Sequence, residues 1–349
     1  MMLSRHRHAL LVEGLEQRAA PLGASARFRL YALTPPPADE FVIVHDFALG
    51  EIDNNLGHHV VTELLPLLSA HRHRIDSGYG EQDLFERSVG DIVRSVAGNE
   101  GAAWRLFYAN TLDALQASAS LNLGSAAPDG RAGDFIGLFG AIYRHALELI
   151  RATPNLTAPP TVLDTATCFG FFPLLLARVR PGGEALGEIA GCDLNPALMA
   201  FANDYVAHDP ALATRFGVAD ILAEDIEREL APLPARFDTV TALHLLEHLD
   251  AGQTEAALAN LWRLAAKRLI VAVPLEAEPD QRYGHRQVFD RERLLALGRT
   301  LGGRQTYCEY HGGWLVVDRS RPGAEPTRSS APSKQEDEIQ TRRSSLPKP

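Results

Sequence analysis

Cysteine and long apolar runs are both scarce in this sequence. Three cysteines occur among 349 residues, at positions 168, 192 and 308, and no two of them have the CxxC spacing of a zinc or redox site. Such a small, odd number excludes a disulfide framework, so we expect a reducing, cytoplasmic location. No apolar run approaches the ~20 residues that a membrane-spanning helix needs, and the stretch at 9–12 is too short for a signal-peptide core. No membrane association is therefore expected.

Positive charge is also scarce, but not uniformly along the chain. There are 34 Lys and Arg against 44 Asp and Glu, a net charge of −10. Residues from 319 onward carry +3, so residues 1–318 carry −13. A body this acidic repels phosphate backbones, which argues against nucleic acid as the main partner. The segment 319–349 contains five prolines, six serines and no aromatic residue, which predicts a disordered tail.

The N-terminal part of the sequence predicts helices more than strands. Residues 1–40 show weak periodicity and end in three consecutive prolines, which predicts a poorly ordered segment. A short strand is expected at residues 40–47, and helical apolar spacing follows it. Further helices are predicted at 84–96, 102–115 and 134–151. Residues 41–157 are therefore expected to form a mostly helical domain.

After Pro159 and Pro160 the pattern changes to short apolar runs that alternate with helices. Five strands are predicted, at 161–164, 188–193, 215–218, 239–243 and 268–273. Helices between successive strands predict a parallel sheet. The tight connection at 311–313 instead predicts an antiparallel hairpin between the last two apolar runs. The expected fold class is therefore α/β, with a Rossmann-like, mostly parallel sheet over 158–318 and one antiparallel terminal strand.

Glycine is scarce where a nucleotide-binding turn normally needs it. The first predicted strand ends at Asp164, and the turn that follows has Ala166, Cys168 and Gly170 at the positions of close approach. Two further acids, Asp193 and Asp220, follow the second and third strands. One carboxylate can accept hydrogen bonds from both ribose hydroxyls, because it offers two oxygens. Since the carboxyl ends of parallel strands share one edge, these residues predict a nucleotide site there.

The segment 162–170, together with Asp193, Asp220 and the segment 246–249, resembles the class I S-adenosylmethionine-dependent methyltransferases. The resemblance covers residues 160–318 and implies that S-adenosyl-L-methionine is the cofactor. In that family the first segment holds the methionine part, the second acid the ribose, and the third acid lies beside the adenine. The implied cofactor-binding residues are Asp164, Ala166, Cys168, Gly170, Asp193, Asp220 and His244. Ala166 and Cys168 depart from the glycines usual in the family, but both are small.

A closer resemblance extends into the N-terminal half. It rests on the segments 51–55, 93–95, 103–111, 167–171, 244–250 and 311–314. Together they are similar to the mycofactocin oligosaccharide methyltransferases, which methylate a sugar hydroxyl on the oligoglucoside chain of the redox cofactor mycofactocin. The resemblance implies that the partner is a small-molecule glycoside, oligoglucosylated mycofactocin. Residues 41–157 would then be an acceptor-binding or lid domain, and residues 158–318 the cofactor domain.

His248, Glu247 and His285 are the predicted catalytic residues. A sugar hydroxyl is a poor nucleophile, so methylating it needs a general base or a metal ion. Glu247 and His248 follow the fourth strand, and His285 lies in the loop after the fifth. The alternatives are structural, since Glu247 and His248 can simply open the next helix and the loop of His285 can serve to place Asp290 as a helix cap. A divalent ion held by the same cluster is a further alternative, but no metal ligand is assigned.

Other functions fit some of the same residues. His244, Glu247 and His248 match the inverted zinc-peptidase pattern, but that pattern needs both histidines on one helix face and this run leaves a strand. A methyltransferase for another small acceptor, such as a quinone or polyketide hydroxyl, and a non-catalytic binding module both stay open. A group of polar and aromatic residues suits either sugar binding or packing, and consists of Asp53, Asn54, Asn55, Trp104, Tyr108 and Asn110. The oligomeric state is not predicted.

Overall fold

Two β-sheets organise the residues that the computed structural model describes, which are 2–6, 19–33, 41–71, 80–120, 134–156, 158–178 and 186–319. The smaller sheet contains β1 (Met2–His6), β2 (Ala19–Ala24), β3 (Phe28–Leu33) and β4 (Phe41–His45), in the order β1-β4-β3-β2. β1 runs parallel to β4, and the other two pairs are antiparallel.

Three strands of the smaller sheet fall within residues 1–40, for which the sequence predicted little order. Phe28, Leu30 and Ile43 are at most 1% exposed, because they pack into the core that this sheet shares with the helices. Strands this short are stable only when other elements pack against one of their faces. The sequence of the strands themselves does not show that such packing exists. Beyond Arg319, the tail that the sequence predicts to be disordered lies outside the described residues.

Helices fill most of the described chain between β4 and residue 151. α1 (Asn55–His59) continues through a π-helical segment, Val60–Leu64, into α2 (Leu65–Ala70), and α3 (Glu81–Ser95), α4 (Glu100–Ser120) and α5 (Phe135–Arg151) follow. α5 begins where the Asp134 carboxylate accepts a hydrogen bond from the Gly137 amide at 2.6 Å, which caps the helix. The predicted mostly helical N-terminal region is confirmed, and it carries a small sheet in addition.

The larger sheet has the strand order β10-β11-β9-β8-β5-β6-β7. Its strands are β5 (Val162–Thr165), β6 (Ile189–Asp193), β7 (Thr214–Val218), β8 (Phe237–Leu243), β9 (Ala265–Val273), β10 (Arg304–Glu309) and β11 (Gly313–Asp318). Successive strands from β5 to β10 are connected through α6 (Phe171–Arg178), α7 (Pro196–His208), α8 (Ile226–Glu229), α9 (Ala251–Leu264) and α10 (Arg291–Thr300). β11 runs antiparallel to both neighbours, and the other pairs of this sheet are parallel. The predicted Rossmann-like α/β sheet with one antiparallel strand is confirmed.

The hairpin between β10 and β11 reaches the carboxyl end of β9, because Gly313 pairs with Val273. Gly312 has φ 141°, and a Cβ on it would lie 2.5 Å from the carbonyl oxygen of Val273. Glycine is needed here both for the backbone angle and for the close approach. The turn of the hairpin therefore lies at the same edge as the loops that follow the parallel strands.

Helices of the N-terminal half cover that edge, within the compact unit formed up to Arg319. The Phe85 ring of α3 lies 5.8 Å from the Tyr283 ring, which follows β9. The Phe139 ring of α5 lies 6.1 Å from the His244 ring, which follows β8. The boundary predicted near residue 157 stays a prediction. No helix in the described part of the chain is both long and apolar enough to cross a bilayer.

Candidate functional site

Asp164, at the end of the central strand β5, organises the turn that follows it. Its Oδ2 accepts a hydrogen bond from the Thr167 hydroxyl and its Oδ1 one from the Thr241 hydroxyl, both at 2.6 Å. The residue is 4% exposed, and burial raises the pKa of its carboxyl to about 7, although the two hydroxyls oppose this shift. Asp164 thus lies behind the turn and fixes its shape, and direct contact with a cofactor stays a prediction.

The turn has the backbone of a glycine-rich loop with little glycine in it. Ala166, Cys168 and Gly170 have φ values of 51°, 54° and 73°. For a residue with a Cβ, this left-handed conformation costs about 1–2 kcal/mol. The Cys168 amide donates to Asp193 Oδ2 at 2.8 Å, and this bond helps to hold the turn in place. Small side chains therefore occupy left-handed positions that glycine adopts most readily.

Asp193 and Asp220 lie at the ends of adjacent strands, with an exposed apolar side chain beside them. Asp193 accepts hydrogen bonds from the amides of Cys168 and Asn195, at 2.8 and 2.9 Å, and its pKa is raised by burial. Leu194 is 66% exposed, and Asp220 follows the neighbouring strand β7. Carboxylates beside an exposed leucine fit a nucleoside, whose ribose hydroxyls can be bound and whose base can be covered. The residues present therefore fit S-adenosylmethionine.

An aromatic stripe on α5, which was not predicted from the sequence, runs from the loops after β8 and β9 to the turn at 166–170, called the cofactor turn below. Phe135, Phe139 and Tyr143 are spaced four residues apart, and their successive ring centroids are 6.0 and 5.7 Å apart. The pKa of Tyr143 is raised by its burial and also by the charges of Asp164 and Cys168 near it. The i, i+4 spacing of these rings was the available signal in the sequence.

The polar and aromatic group considered for sugar binding is used largely for packing. Trp104 is 4% exposed and stacks on Phe201 at 4.6 Å, and Tyr108 is fully buried against Tyr205 at 5.2 Å. The Asn110 amide donates to the carbonyl oxygens of Leu49 and Ile52. These contacts favour the packing alternative for those three residues.

The segment after β8 places His244 and Glu247 side by side. His244 has φ 58° and its amide donates to the Ala272 carbonyl at 2.9 Å, which holds the end of β8 against β9. Glu247 lies in a single 3₁₀ turn, Leu246–His248, and is 0% exposed. Its Oε1 is 3.1 Å from His244 Nδ1 but lacks the alignment of a hydrogen bond, and neither carboxylate oxygen has a hydrogen-bond partner among the described residues. A buried carboxylate without donors is costly, so Glu247 calls for a functional explanation.

His248 and His285 complete a cluster with Glu247. The two imidazole rings are 5.0 Å apart and nearly perpendicular, and the ligand atoms of all three residues lie within 4.8 Å of one another. Burial lowers the pKa of His248, although the charge of Glu247 opposes this. The Arg286 amide donates to the Glu247 carbonyl at 2.7 Å and so ties the loop after β9 to the turn after β8. The structure therefore brings the three predicted catalytic residues together.

Two of the alternatives raised by the sequence, the helix cap at Asp290 and the zinc-peptidase pattern, can be compared with this geometry. Asp290 does cap α10, since its carboxylate accepts from the Arg293 amide at 2.8 Å. The loop that ends there nevertheless also places His285 in the cluster. His244 and His248 do not share a helix face, because a strand end precedes the 3₁₀ turn, so the peptidase pattern lacks its helix.

Comparison with known proteins identifies the chemistry of the larger sheet. Residues 163–271 match the model of a family described as a methyltransferase domain. None of the curated proteins compared matches the chain. Among solved structures, magnesium protoporphyrin IX methyltransferase from Synechocystis PCC 6803, crystallised with bound SAH, is similar with a TM-score of 0.42 and 16% identity, over 64% of this chain and 100% of that chain. An O-methyltransferase family protein from Burkholderia thailandensis is similar with a TM-score of 0.40 and 16% identity, over 76% of this chain and 93% of that chain.

The family match extends from β5 to β9, the strands that carry the cofactor turn and the turn of Glu247. The prediction of a methyltransferase that uses S-adenosyl-L-methionine is confirmed. The match covers less than a third of the chain and leaves the acceptor undetermined.

Proposed function

We propose that this chain is an O-methyltransferase that methylates a glucose hydroxyl in the oligosaccharide of mycofactocin. The observation that carries the proposal is the buried carboxylate of Glu247, which accepts no hydrogen bond from the described part of the chain and is clustered with His248 and His285. This cluster lies after β8, the neighbour of the cofactor strand β5, and after β9, the next strand out, at the edge where an α/β sheet binds its ligand. S-adenosylmethionine supplies, when bound, a methyl group on a sulfonium that an oxygen nucleophile can attack.

A hydroxyl acceptor explains why the cluster contains titratable groups. A neutral alcohol attacks poorly and must lose its proton during the transfer. Burial lowers the pKa of His248, which keeps its ring neutral near pH 7 and able to accept a proton or another cation. Burial of Glu247 and His285 also limits the access of water, which would otherwise compete for the methyl group. An acceptor with a ready lone pair, such as an amine already neutral, would not need this arrangement.

The identity of the acceptor rests on the sequence resemblance, and the fold supports it in one respect. The segments 167–171, 244–250 and 311–314 form the cofactor turn, the turn of Glu247 and the hairpin at the end of β9. Residues that carry the resemblance are thus spread over the chain but meet at one edge of the sheet. The segment 103–111 packs against the cofactor turn, as shown by the Phe107 ring, which lies 5.2 Å from the Phe169 ring.

Mass spectrometry of oligoglucosylated mycofactocin, incubated with the enzyme and S-adenosylmethionine, tests the proposal. We expect a product heavier by one methylene, with the added methyl located on a glucose unit by fragmentation. A catechol-type quinol in a parallel reaction tests the alternative acceptor. Methylation of the quinol alone would refute the glycoside assignment. Binding of S-adenosylhomocysteine with no methylation of either acceptor would favour a non-catalytic binding module.

A further inference from the structure

The cluster of Glu247, His248 and His285 has the donor set of a metal site. It offers one carboxylate and two imidazoles from two different loops, and their ligand atoms lie within 4.8 Å of one another. Two histidines and one carboxylate form a common set for divalent transition metals, which leaves further coordination positions open. Mg²⁺ and Ca²⁺ prefer sets made of oxygen atoms alone, so they fit this cluster less well.

Glu247 supplies a second, independent observation. Its side chain is completely buried, yet neither carboxylate oxygen accepts a hydrogen bond from any described residue. The nearest cationic candidate, His244, has its Nδ1 3.1 Å from Oε1 without the alignment of a hydrogen bond. A cation bound at these oxygens would satisfy a carboxylate to which the described residues donate no hydrogen bond.

His285 is oriented as metal-binding histidines usually are. Its Nδ1 lies 2.8 Å from Glu276 Oε2, and its side chain is 8% exposed. When Nδ1 donates its proton to a carboxylate, the other ring nitrogen, Nε2, keeps its lone pair for a metal ion. Glu276 thus acts as a positioning residue behind the ligand, and the pair is held in the loop that follows β9.

We propose that Glu247, His248 and His285 bind one divalent transition-metal ion, of the Mn²⁺, Fe²⁺, Co²⁺ or Zn²⁺ class, at the acceptor side of the active site. The inference that this ion serves catalysis rests on the proposed function, since its charge lowers the pKa of an acceptor hydroxyl placed beside it. His248 is then a ligand rather than the base, and the proton that the acceptor hydroxyl loses passes to solvent water.

Metal binding to the full-length, chelator-treated protein tests the site without any acceptor. We expect calorimetry with Mn²⁺ and Zn²⁺ to show one saturable site per chain, and Mn²⁺ electron paramagnetic resonance to show loss of the free-ion signal at the same ratio. Mg²⁺ should bind at least about tenfold more weakly, because it disfavours imidazole ligands. Absence of a one-per-chain site for both Mn²⁺ and Zn²⁺ would overturn the proposal.

Three variants separate ligands from other residues. Glu247→Gln keeps the shape of the side chain and should abolish the site, whereas Glu276→Ala should weaken it about 10–100-fold, as loss of a carboxylate behind a histidine ligand usually does. His208→Ala is the matched control. His208 is an exposed histidine on α7, so we expect the variant protein to bind metal as the wild type does. Calorimetry with S-adenosylhomocysteine verifies that each variant is folded. Unchanged metal affinity in a folded Glu247→Gln protein would contradict the assignment.

The metal proposal and the proposed function can fail separately. If the metal binds at one site per chain and no glycoside is methylated, the acceptor assignment fails and the metal site stands. If the metal-free protein methylates the glycoside at the wild-type rate, the acceptor assignment stands and the inferred role of the ion is refuted.

Discussion

The buried carboxyl of Asp164 makes the stability of the fold depend on pH in a way that one substitution should remove. Burial raises its pKa from 3.8 to about 7 in the folded protein. Between these two values the folded protein holds a proton that the unfolded chain releases. Stability therefore falls as pH rises from about 4 to about 7, by about 1.4 kcal/mol per pH unit, and then levels off. The total loss attributable to Asp164 is about 4 kcal/mol.

Asp164→Asn removes the titration and keeps a side chain of the same shape. One hydroxyl, of Thr167 or Thr241, must then turn to accept from the new amide group, which costs a pH-independent amount. We expect the variant to gain about 4 kcal/mol on the wild type between pH 4 and pH 8, whatever its stability at pH 4. Urea denaturation of both proteins at pH 4, 6 and 8 measures this difference, in which the titration of other groups cancels. A difference that stays constant with pH would refute the reasoning.

Two further substitutions test the cofactor site and the sheet. Asp193→Ala removes the acceptor of two backbone amides, so calorimetry should show at least about a hundredfold weaker binding of S-adenosylhomocysteine. Asp225→Ala, which removes only the cap of α8, is its control, and equal losses in both would contradict a specific role. Arg268→Ala leaves the buried Asp318 without its main partner and should lower the free energy of unfolding by about 3–5 kcal/mol in chemical denaturation. Lys267→Ala breaks a more exposed ion pair and should lower the free energy of unfolding by about 1 kcal/mol or less. A similar loss in both variants would contradict the larger contribution expected of the buried pair.

The larger sheet could be predicted because its signals are local and repeat along the chain. β5 is buried along its whole length and begins with the apolar pair Val162 and Leu163, and Asp193 and Asp220 follow the next two strands in order. The glycine pair at 312–313 correctly predicted that β11 runs antiparallel to β10. In each case the structural reason lies within a few residues of the signal.

The smaller sheet and the aromatic cover of the site depend on contacts distant in sequence. β3 is stabilised by burial of Phe28 and Leu30 against helices further along the chain, which no local pattern contains. Glu247 and His248 could be selected from their place after a strand, but that no described residue donates a hydrogen bond to the Glu247 carboxylate is a property of the folded site alone. A buried carboxylate that accepts no hydrogen bond has no signature in the composition or the periodicity of a sequence.

The N-terminal half and the larger sheet must act together in this site. α5 supplies Phe139 beside His244, and α3 supplies Phe85 beside Tyr283, two residues before His285. Because these helices contact both loops of the Glu247 cluster, any change in their packing shifts the groups that would bind the acceptor hydroxyl. Both helices lie outside the segment 163–271 that matches the methyltransferase family, so we expect substitutions in α3 and α5 to change the selectivity for the acceptor.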